Sequence, residues 1–545
     1  MGDSLFARNT VVINTLCPLH IGTGEKLKNF DFIRERDTLI VIDENKLINW
    51  ITSDQTGKYA RELTRVVETN RPIKEFFSSN QLNPIEFSAY ALKTTRPGPF
   101  KEVLPFIKTA HHQPYLPGSS LKGSIRNALL RGRVLENTYL KNQFSELVHS
   151  KAQSGKSAGG DVDAKVFVPV PVRPSQYSNF DLNRVLMIGD SYPNSTTDLE
   201  LVEMKVLSVD TDRRSFHFKQ TRAGDEMSLF IETMHPKVTI RLPLTWQTHL
   251  LQGKGAADEL QFKSVRQLMI YLPEFCRAAS LQLFQQEISF YQSIGHKQLA
   301  GWYEDKRDKL LQAIDEVFFL PIGWGSGYDA KTITDLLGDQ IFKTVAEKCR
   351  NTQGLGRPGN SPSNQWLGAK FSPKSRKVIV RSENEFEPMG WIVIQFKQAS
   401  GSEDDWLTAI RETDSGIKPK FDFTSLSNRQ SVIPQTHTPL KNVTKPVQTV
   451  SKAPTPRAEE SPIKTEFTET PQVGDRFKGI VFEVDDRLTL NLLIPGLDDT
   501  VAYAVVESKD NNSSKKYRDK DKVICEVIGL EQEKGKTWRI NCRCG

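Results

Sequence analysis

At 545 residues the chain exceeds what one hydrophobic core holds, and its length points to roughly three to four domains. Apolar residues make up 38% and charged residues 26%, with a net charge of +7; this fits a globular protein with some unstructured sequence and permits a polyanionic partner without demanding one. The six cysteines are scattered with no C-x-x-C pair, which argues against a disulfide framework or zinc ribbon and for a reducing cytoplasm, and no apolar run is long enough to predict a membrane span.

In chain order, "NTVVINTLCPLHIG" reads as an apolar strand ending in a glycine turn, "DTLIVID" as a second strand and "ENKLINWI" as the start of a helical stretch. Asp31 lies between them, flanked by Phe30 and Phe32 in a stretch read as strand, and His111 and His112 read as an exposed loop pair. "YLPGSSLKGSIRNALL" predicts a helix over Ser119–Arg133. Leu121, Ile125, Ala128 and Leu129 make its buried stripe, Pro117 and Gly118 its turn, and Ser119 or Ser120 its N-cap. Lys122 and Arg126, four apart, share another face near the helix start. Cations there oppose the helix dipole unless an anion sits among them.

"KAQSGKSAGGDVDAK" reads as a polar surface loop. Its "GKS" is no Walker A motif, because Ser150 stands where the first glycine belongs and no strand leads in. "LELVEMKVLSVDTDRRSFHFKQTR" and "MSLFIETMHPKVTIRLPL" alternate with period two and predict hairpins. A mostly helical region follows from Ala256 to Gln312, and "PMGWIVIQF" is the last strand of the body. Strands and helices in mixed order, with hairpins, predict an α+β fold. The body divides into 1–245 and 246–400, followed by a Pro-, Thr-, Lys- and Ser-rich stretch, 401–472, read as a flexible linker. Residues 473–545 return to five short strands, which predicts a small barrel.

Glycines are the main chemical signal. Gly22 and Gly24 in "LHIGTGEK" let backbone approach a ligand closely, yet Leu27 occupies the third position of a dinucleotide fingerprint. "GWGSGYDAKT" carries Gly323, Gly325 and Gly327, then Lys331. With the helix start, these segments favour a surface that handles a phosphate backbone.

"INTLCPLHIGTGE", "YLPGSSLKGSIRNALL", "GWGSGYDAKTI" and "FSPKSRKVIV" with "PMGWIVIQF" occur in this order over Asn9–Phe396. Together they resemble the RAMP superfamily of CRISPR-associated proteins, and within it the Cas7-like subunit at the 3′ end of the guide RNA in type III-A effector complexes. The resemblance implies an RRM-like (ferredoxin-like) body with inserted hairpins and a helical region. It also implies a thumb hairpin, expected between Glu200 and Leu244. The implied partners are crRNA, other type III subunits (Cas7-like and small) and target RNA, in a role supporting crRNA maturation and antiviral defence. Carried over by motif, Gly22, Thr23 and Gly24 match one guide-contacting loop and Gly323, Gly325 and Gly327 another, with Lys331 following it. Ser119, Ser120, Lys122 and Arg126 match backbone contacts, which position a guide without reading it. His20 matches a histidine common before the first glycine loop, more often structural; some relatives process guide RNA by histidine acid–base chemistry, and His20 is counted among the candidate RNA-binding residues. In sister subunits a loop aspartate cleaves target RNA with a divalent metal. Asp31 lies in the corresponding stretch, so the alternative is an Mg²⁺-dependent endoribonuclease. A single carboxylate is a poor hard-metal site, and subunits of this type are regarded as non-cleaving, so the expectation is a non-catalytic protein without a cofactor. "VGDRFKGIVFEV" and "KVICEVIGLEQEKGKTWRINCR" resemble an S1 domain, an OB-fold for single-stranded RNA, with Phe477, Phe482 and Tyr503 as candidate stacking aromatics unless alternation buries them.

Overall fold

The structure, a computed structural model, describes residues 7–69, 71–94, 100–210, 214–221, 223–252, 255–314, 316–348, 373–395 and 418–421. Toward the C-terminus it describes 463–464, 475–485, 489–493, 501–506, 522–532 and 538–544. The chain forms two compact units, Met1–Pro434 and Gln435–Gly545.

The β-branched run of Ala7–Thr15 buries Val11 and Ile13, as a half-buried strand should. This strand is central in a five-stranded sheet ordered Val317–Pro321, Trp391–Gln395, Ala7–Thr15, Thr239–Trp246, Leu186–Ile188, with every neighbouring pair antiparallel. The helix Gly118–Glu136 lies between the first strand and Leu186–Ile188 in sequence, and Leu272–Ser293 between Thr239–Trp246 and Val317–Pro321. These helices pack on each other so tightly that a Cβ on Gly132 would strike the Phe275 carbonyl. Strands from both sides of residue 245 pair within one sheet, so the expected division at that point is no domain boundary. Beyond 400, Phe421 packs edge-on against Phe275 at 5.5 Å, so part of the expected linker docks on the body's core.

A second sheet runs Leu27–Lys28, Glu102–Leu104, Ser228–Met234, Leu199–Val209, Ser88–Thr94, Thr38–Ile42, Phe32–Glu35. Ser375–Ser382 pairs along the later part of Leu199–Val209. Three helices, Glu44–Thr52, Lys58–Glu68 and Ile73–Ser79, close a satellite core around Ile33, Ile40, Phe76 and Phe77. The first of these starts where the sequence predicts, with the Asp43 carboxylate accepting from the Asn45 and Lys46 N–H groups.

Several expectations change. Leu199–Val209 does fold back on Phe216–Phe218, but Ser228–Met234 and Thr239–Trp246 are not a hairpin, because they belong to different sheets. The crossing between them is held at Thr15. Its hydroxyl donates to the His235 carbonyl at 2.5 Å and accepts from the Val238 N–H at 2.9 Å. The polar "loop" around Ser157 is mostly helix, Thr138–Gln153 and Gly159–Phe167, because Val162, Val166 and Phe167 bury one side of it. Asp31 lies in a turn ahead of Phe32–Glu35 rather than within the strand.

In the C-terminal unit, Arg476–Asp485, Thr489–Leu493, Val501–Val506, Trp538–Cys544 and Lys522–Gln532 pair in that order, and the last pairs again with the first to close a ring. All pairings in the ring are antiparallel except Val501–Val506 with Trp538–Cys544. Ile463–Lys464 adds a short parallel strand, so this sheet begins inside the stretch expected to be linker.

Candidate nucleic-acid interface

The first glycine loop is laced to three other segments by backbone hydrogen bonds. Leu19 exchanges bonds with Met234, the Ile107 N–H donates to the Ile21 carbonyl, and the Trp324 N–H donates to the His20 carbonyl at 2.9 Å. The third glycine segment is therefore built directly onto the first, 300 residues earlier in the chain. Gly323 makes this approach possible: it adopts φ +77°, and a Cβ there would collide with the His20 carbonyl oxygen. The helix Gly118–Glu136 joins them through the Ser124 hydroxyl, which donates to the Pro321 carbonyl at 2.7 Å.

Between these segments lies a cavity of about 660 Å³, lined by His20, Gly22 and Gly24 of the first loop and by Gly323, Trp324 and Lys331 of the third. The helix supplies Ser119, Ser120, Gly123, Ser124 and Asn127. The sequence thus named residues from all three walls, although the walls are remote in the chain. Thr23, Gly325 and Gly327 belong to the same loops without lining the cavity.

The helix presents its side to the cavity, and this corrects two expectations. Pro117 is the N-cap and Gly118 the first helical residue, so neither Ser119 nor Ser120 caps the helix. The Gly118 N–H donates to the Asp190 carboxylate at 2.8 Å, which places an internal anion at the positive end of the dipole. Lys122 and Arg126 lie on a different face. Arg126 donates to Asp163 at 3.0 Å and Asp181 at 2.7 Å and covers the Phe167 ring at 4.2 Å, so its charge is committed to the fold. Burial holds the Lys122 ammonium below its ordinary pKa, opposed by attraction to Asp181 on that same face. The residues missed, Gly123, Ser124 and Asn127, had a readable signal. Ser119, Gly123 and Asn127 recur every four residues, as do Ser120 and Ser124, marking one face of small and polar side chains.

The cavity's cations come from elsewhere. Lys26 pairs with Glu102 at 2.7 Å. Lys331 has no ion pair among the described residues, and burial lowers its pKa. Lys377 sits 4.6 Å from the centre of the Trp324 ring; burial, then repulsion from Lys331 and Lys219, lowers its pKa. Mutually repelling lysines beside a partly exposed indole create positive potential next to a flat apolar face, a combination suited to a nucleotide strand.

Below the cavity is a buried polar network. The Glu232 carboxylate accepts from the Tyr90 hydroxyl at 2.7 Å, the Phe106 N–H at 2.8 Å and the Lys108 ammonium. The Glu232 carbonyl lies 2.7 Å from His20 Nδ1. His20 itself is 3% exposed, so its ring is fixed by the fold. His111 and His112 occupy a tight turn closed by Thr109 and Gln113 and do not line the cavity.

Asp31 is likewise outside the cavity. Its carboxylate accepts from the Lys28 N–H at 2.6 Å, stitching its own turn, and burial raises its pKa. Among the described residues no three His, Cys, Asp or Glu side chains gather as a metal-binding group. In the C-terminal unit Phe477 is fully buried, which removes it as a stacking platform. Phe482 and Tyr503 fall on described strands, but their side chains lie outside the described residues.

Comparison with known proteins agrees with the motifs. The chain is 27% identical over 278 residues to the CRISPR system Cms protein Csm5 of Streptococcus thermophilus, covering 48% of this chain and 71% of that protein. It is 22% identical over 399 residues to Csm5 of Methanocaldococcus jannaschii, covering 69% and 86%. Its fold matches a chain in the cryo-EM structure of a Csm–crRNA–target RNA ternary complex of a type III-A CRISPR-Cas system, with a TM-score of 0.51 and 22% identity, over 71% of this chain and 99% of that one. The RAMP superfamily profile matches residues 12–328, more than half of the sequence. That span holds the Gly22–Gly24 loop, the helix with the small-residue face and Gly323 to Gly327, the three walls of the cavity, and the chain belongs to the RAMP superfamily.

Proposed function

We propose that this protein is a non-catalytic guide-RNA-binding subunit of a type III CRISPR effector complex in the cytoplasm, seated at the 3′ part of the crRNA and supporting its maturation. Its neighbours would be Cas7-like and small subunits, with target RNA passing alongside. The observation that carries this reading is the convergence of three distant glycine-rich and small-residue segments on one cavity lined by Lys331 and Trp324, with Lys377 over the Trp324 ring. Such walls hold sugar and phosphate and ignore base identity, which suits a subunit serving any guide. The Csm5 relatives and the type III-A complex point to the same setting.

Two folds support the proposal. In the body, the order Trp391–Gln395, Ala7–Thr15, Thr239–Trp246, Leu186–Ile188, with helices after the first and third of these strands in chain order, fits an RRM-like (ferredoxin-like) core. The C-terminal ring, closed by pairing its first strand with its fourth and its third with its fifth, fits an OB-fold of the S1 kind, which binds single strands.

The test is the salt dependence of single-stranded RNA binding by the full chain. Lys331→Met is expected to weaken binding at every sequence and to reduce the slope of log K against log salt by about 1. Arg126→Met is expected to lower stability while leaving that slope in place, since its charge is neutralised internally. If Arg126 moves the slope and Lys331 does not, the cavity is not the strand's site.

The non-catalytic reading has its own check. In the assembled complex with target RNA and Mg²⁺, Asp31→Ala is expected to leave every cleavage position intact, because the carboxylate serves its own turn. Loss of one cleavage position would sink this reading.

A further inference from the structure

We propose that His20 Nε2 accepts a hydrogen bond from a ribose 2′-hydroxyl of the bound strand, making His20 the residue that distinguishes RNA from DNA at the cavity. The inference rests on the cavity being a single-strand site and adds the sugar chemistry it selects.

The tautomer follows from the partner. His20 Nδ1 lies 2.7 Å from the Glu232 carbonyl oxygen, which can only accept, so Nδ1 carries the proton. Burial holds the ring below its ordinary pKa and favours the neutral form, whose Nε2 is then a bare lone pair. Phe106 and Trp324 grip the ring edge-on, with centroids at 6.3 and 5.7 Å, so it keeps one orientation at the cavity wall. Nε2 points toward position 22, where a Cβ would sit 2.8 Å away, so glycine leaves this lone pair uncovered.

A phosphate oxygen has no proton to offer and would be repelled by Nε2. Lys331 and the Ser119 and Ser120 hydroxyls serve phosphate instead. His20 therefore needs a donor on the strand. Base amino groups vary with sequence, whereas the 2′-hydroxyl stands beside every phosphate of RNA and is missing from DNA.

The experiment measures binding of full-length protein to a single-stranded RNA and to DNA of the same sequence, by fluorescence anisotropy. Wild type is expected to prefer RNA by about tenfold, the size of one well-made hydrogen bond. His20→Phe, which keeps an aromatic ring at the site, is expected to bring the RNA-to-DNA ratio close to one. Gly22→Ala would set a Cβ 2.8 Å from Nε2, too close for both to stay, so it either covers the lone pair or displaces the ring and is expected to do the same, giving a second reading even if His20→Phe folds poorly. Equal affinity of wild type for both strands, with Lys331→Met still weakening them, would overturn the histidine assignment and leave the cavity reading standing. Unchanged discrimination in Gly22→Ala would also overturn it. If Lys331→Met leaves both strands unaffected, the cavity reading falls and this inference with it.

Discussion

Replacing Arg131 by methionine is expected to destabilise the Met1–Pro434 unit by about 3–5 kcal/mol, the usual cost of removing one partner from a buried ion pair. Arg131 is 2% exposed and makes a two-pronged contact with Asp335 at 2.7 and 2.8 Å. It also donates to the Asp329 and Thr332 carbonyls at 2.5 and 2.7 Å and to Gln282 at 2.5 Å. One guanidinium thus satisfies the backbone just after the third glycine segment, and its removal strands a carboxylate and two carbonyls together. Asp329 adds to the stress. Burial already pushes its carboxyl up to about 8 despite Arg376 and Arg131 nearby, and its Oδ1 has no hydrogen-bond partner among the described residues. Denaturant unfolding followed by tryptophan fluorescence reads the loss. The double variant Arg131→Met with Asp335→Leu is expected to recover part of it, since an apolar pair leaves no buried charge. A cost below about 1 kcal/mol for the single variant would mean that water reaches this site and the network is not buried as described.

RNA affinity should fall with stability in Arg131→Met, because the arginine and the cavity wall sit on the same helix. Ser119, Gly123 and Asn127 face the cavity, and Arg131, four residues further along the same stripe, pins residues 329–335. The Lys331 backbone lies between the anchored Asp329 and Thr332 carbonyls, so the cavity wall that carries it loosens when the pin goes.

The second large effect is expected at Gly323, with Gly327 as its control. Both have positive φ, +77° and +95°, which costs an alanine about 1–2 kcal/mol. At Gly327 nothing lies within 4 Å of a new Cβ, so that conformational cost is the whole effect. At Gly323 the Cβ would meet the His20 carbonyl and come within 3.1 Å of Leu19 Cδ1, forcing the two glycine segments apart and breaking the Trp324-to-His20 hydrogen bond. Gly323→Ala should therefore cost several kcal/mol and reduce RNA binding well beyond Gly327→Ala, as read by thermal unfolding and by anisotropy. Equal effects would mean that the close approach at residue 323 does not hold the cavity together.

Much of this protein was legible in its residues, and the misses share a cause. The helix after Pro117, the strands at Ala7–Thr15 and Trp391–Gln395 and the helix beginning at Glu44 all follow from local periodicity and hydrogen-bonding chemistry. The role of Arg126 did not. Its spacing from Lys122 marks a shared face, but only the docking of Gly159–Phe167 and the turn at Asp181 brings two carboxylates there. Ser228–Met234 and Thr239–Trp246 alternate as a hairpin would, yet period two records only that each strand has a buried face. It does not record which sheet that face joins.

By itself the sequence determined the main strands and helices, though not the helix at Gly159–Phe167, along with which positions need glycine and membership of a family through four motifs in order. These depend on neighbours a few residues apart, where propensity, capping and backbone freedom operate. Only the tertiary structure decided which side of the Gly118–Glu136 helix meets the cavity, which lysines remain unneutralised there and which nitrogen of His20 is left bare. Each of these depends on a partner about 40 to 300 residues distant, Asp163 and Asp181 for Arg126, Glu232 for His20, Trp324 for the first glycine loop, and long-range pairing is information no local window contains.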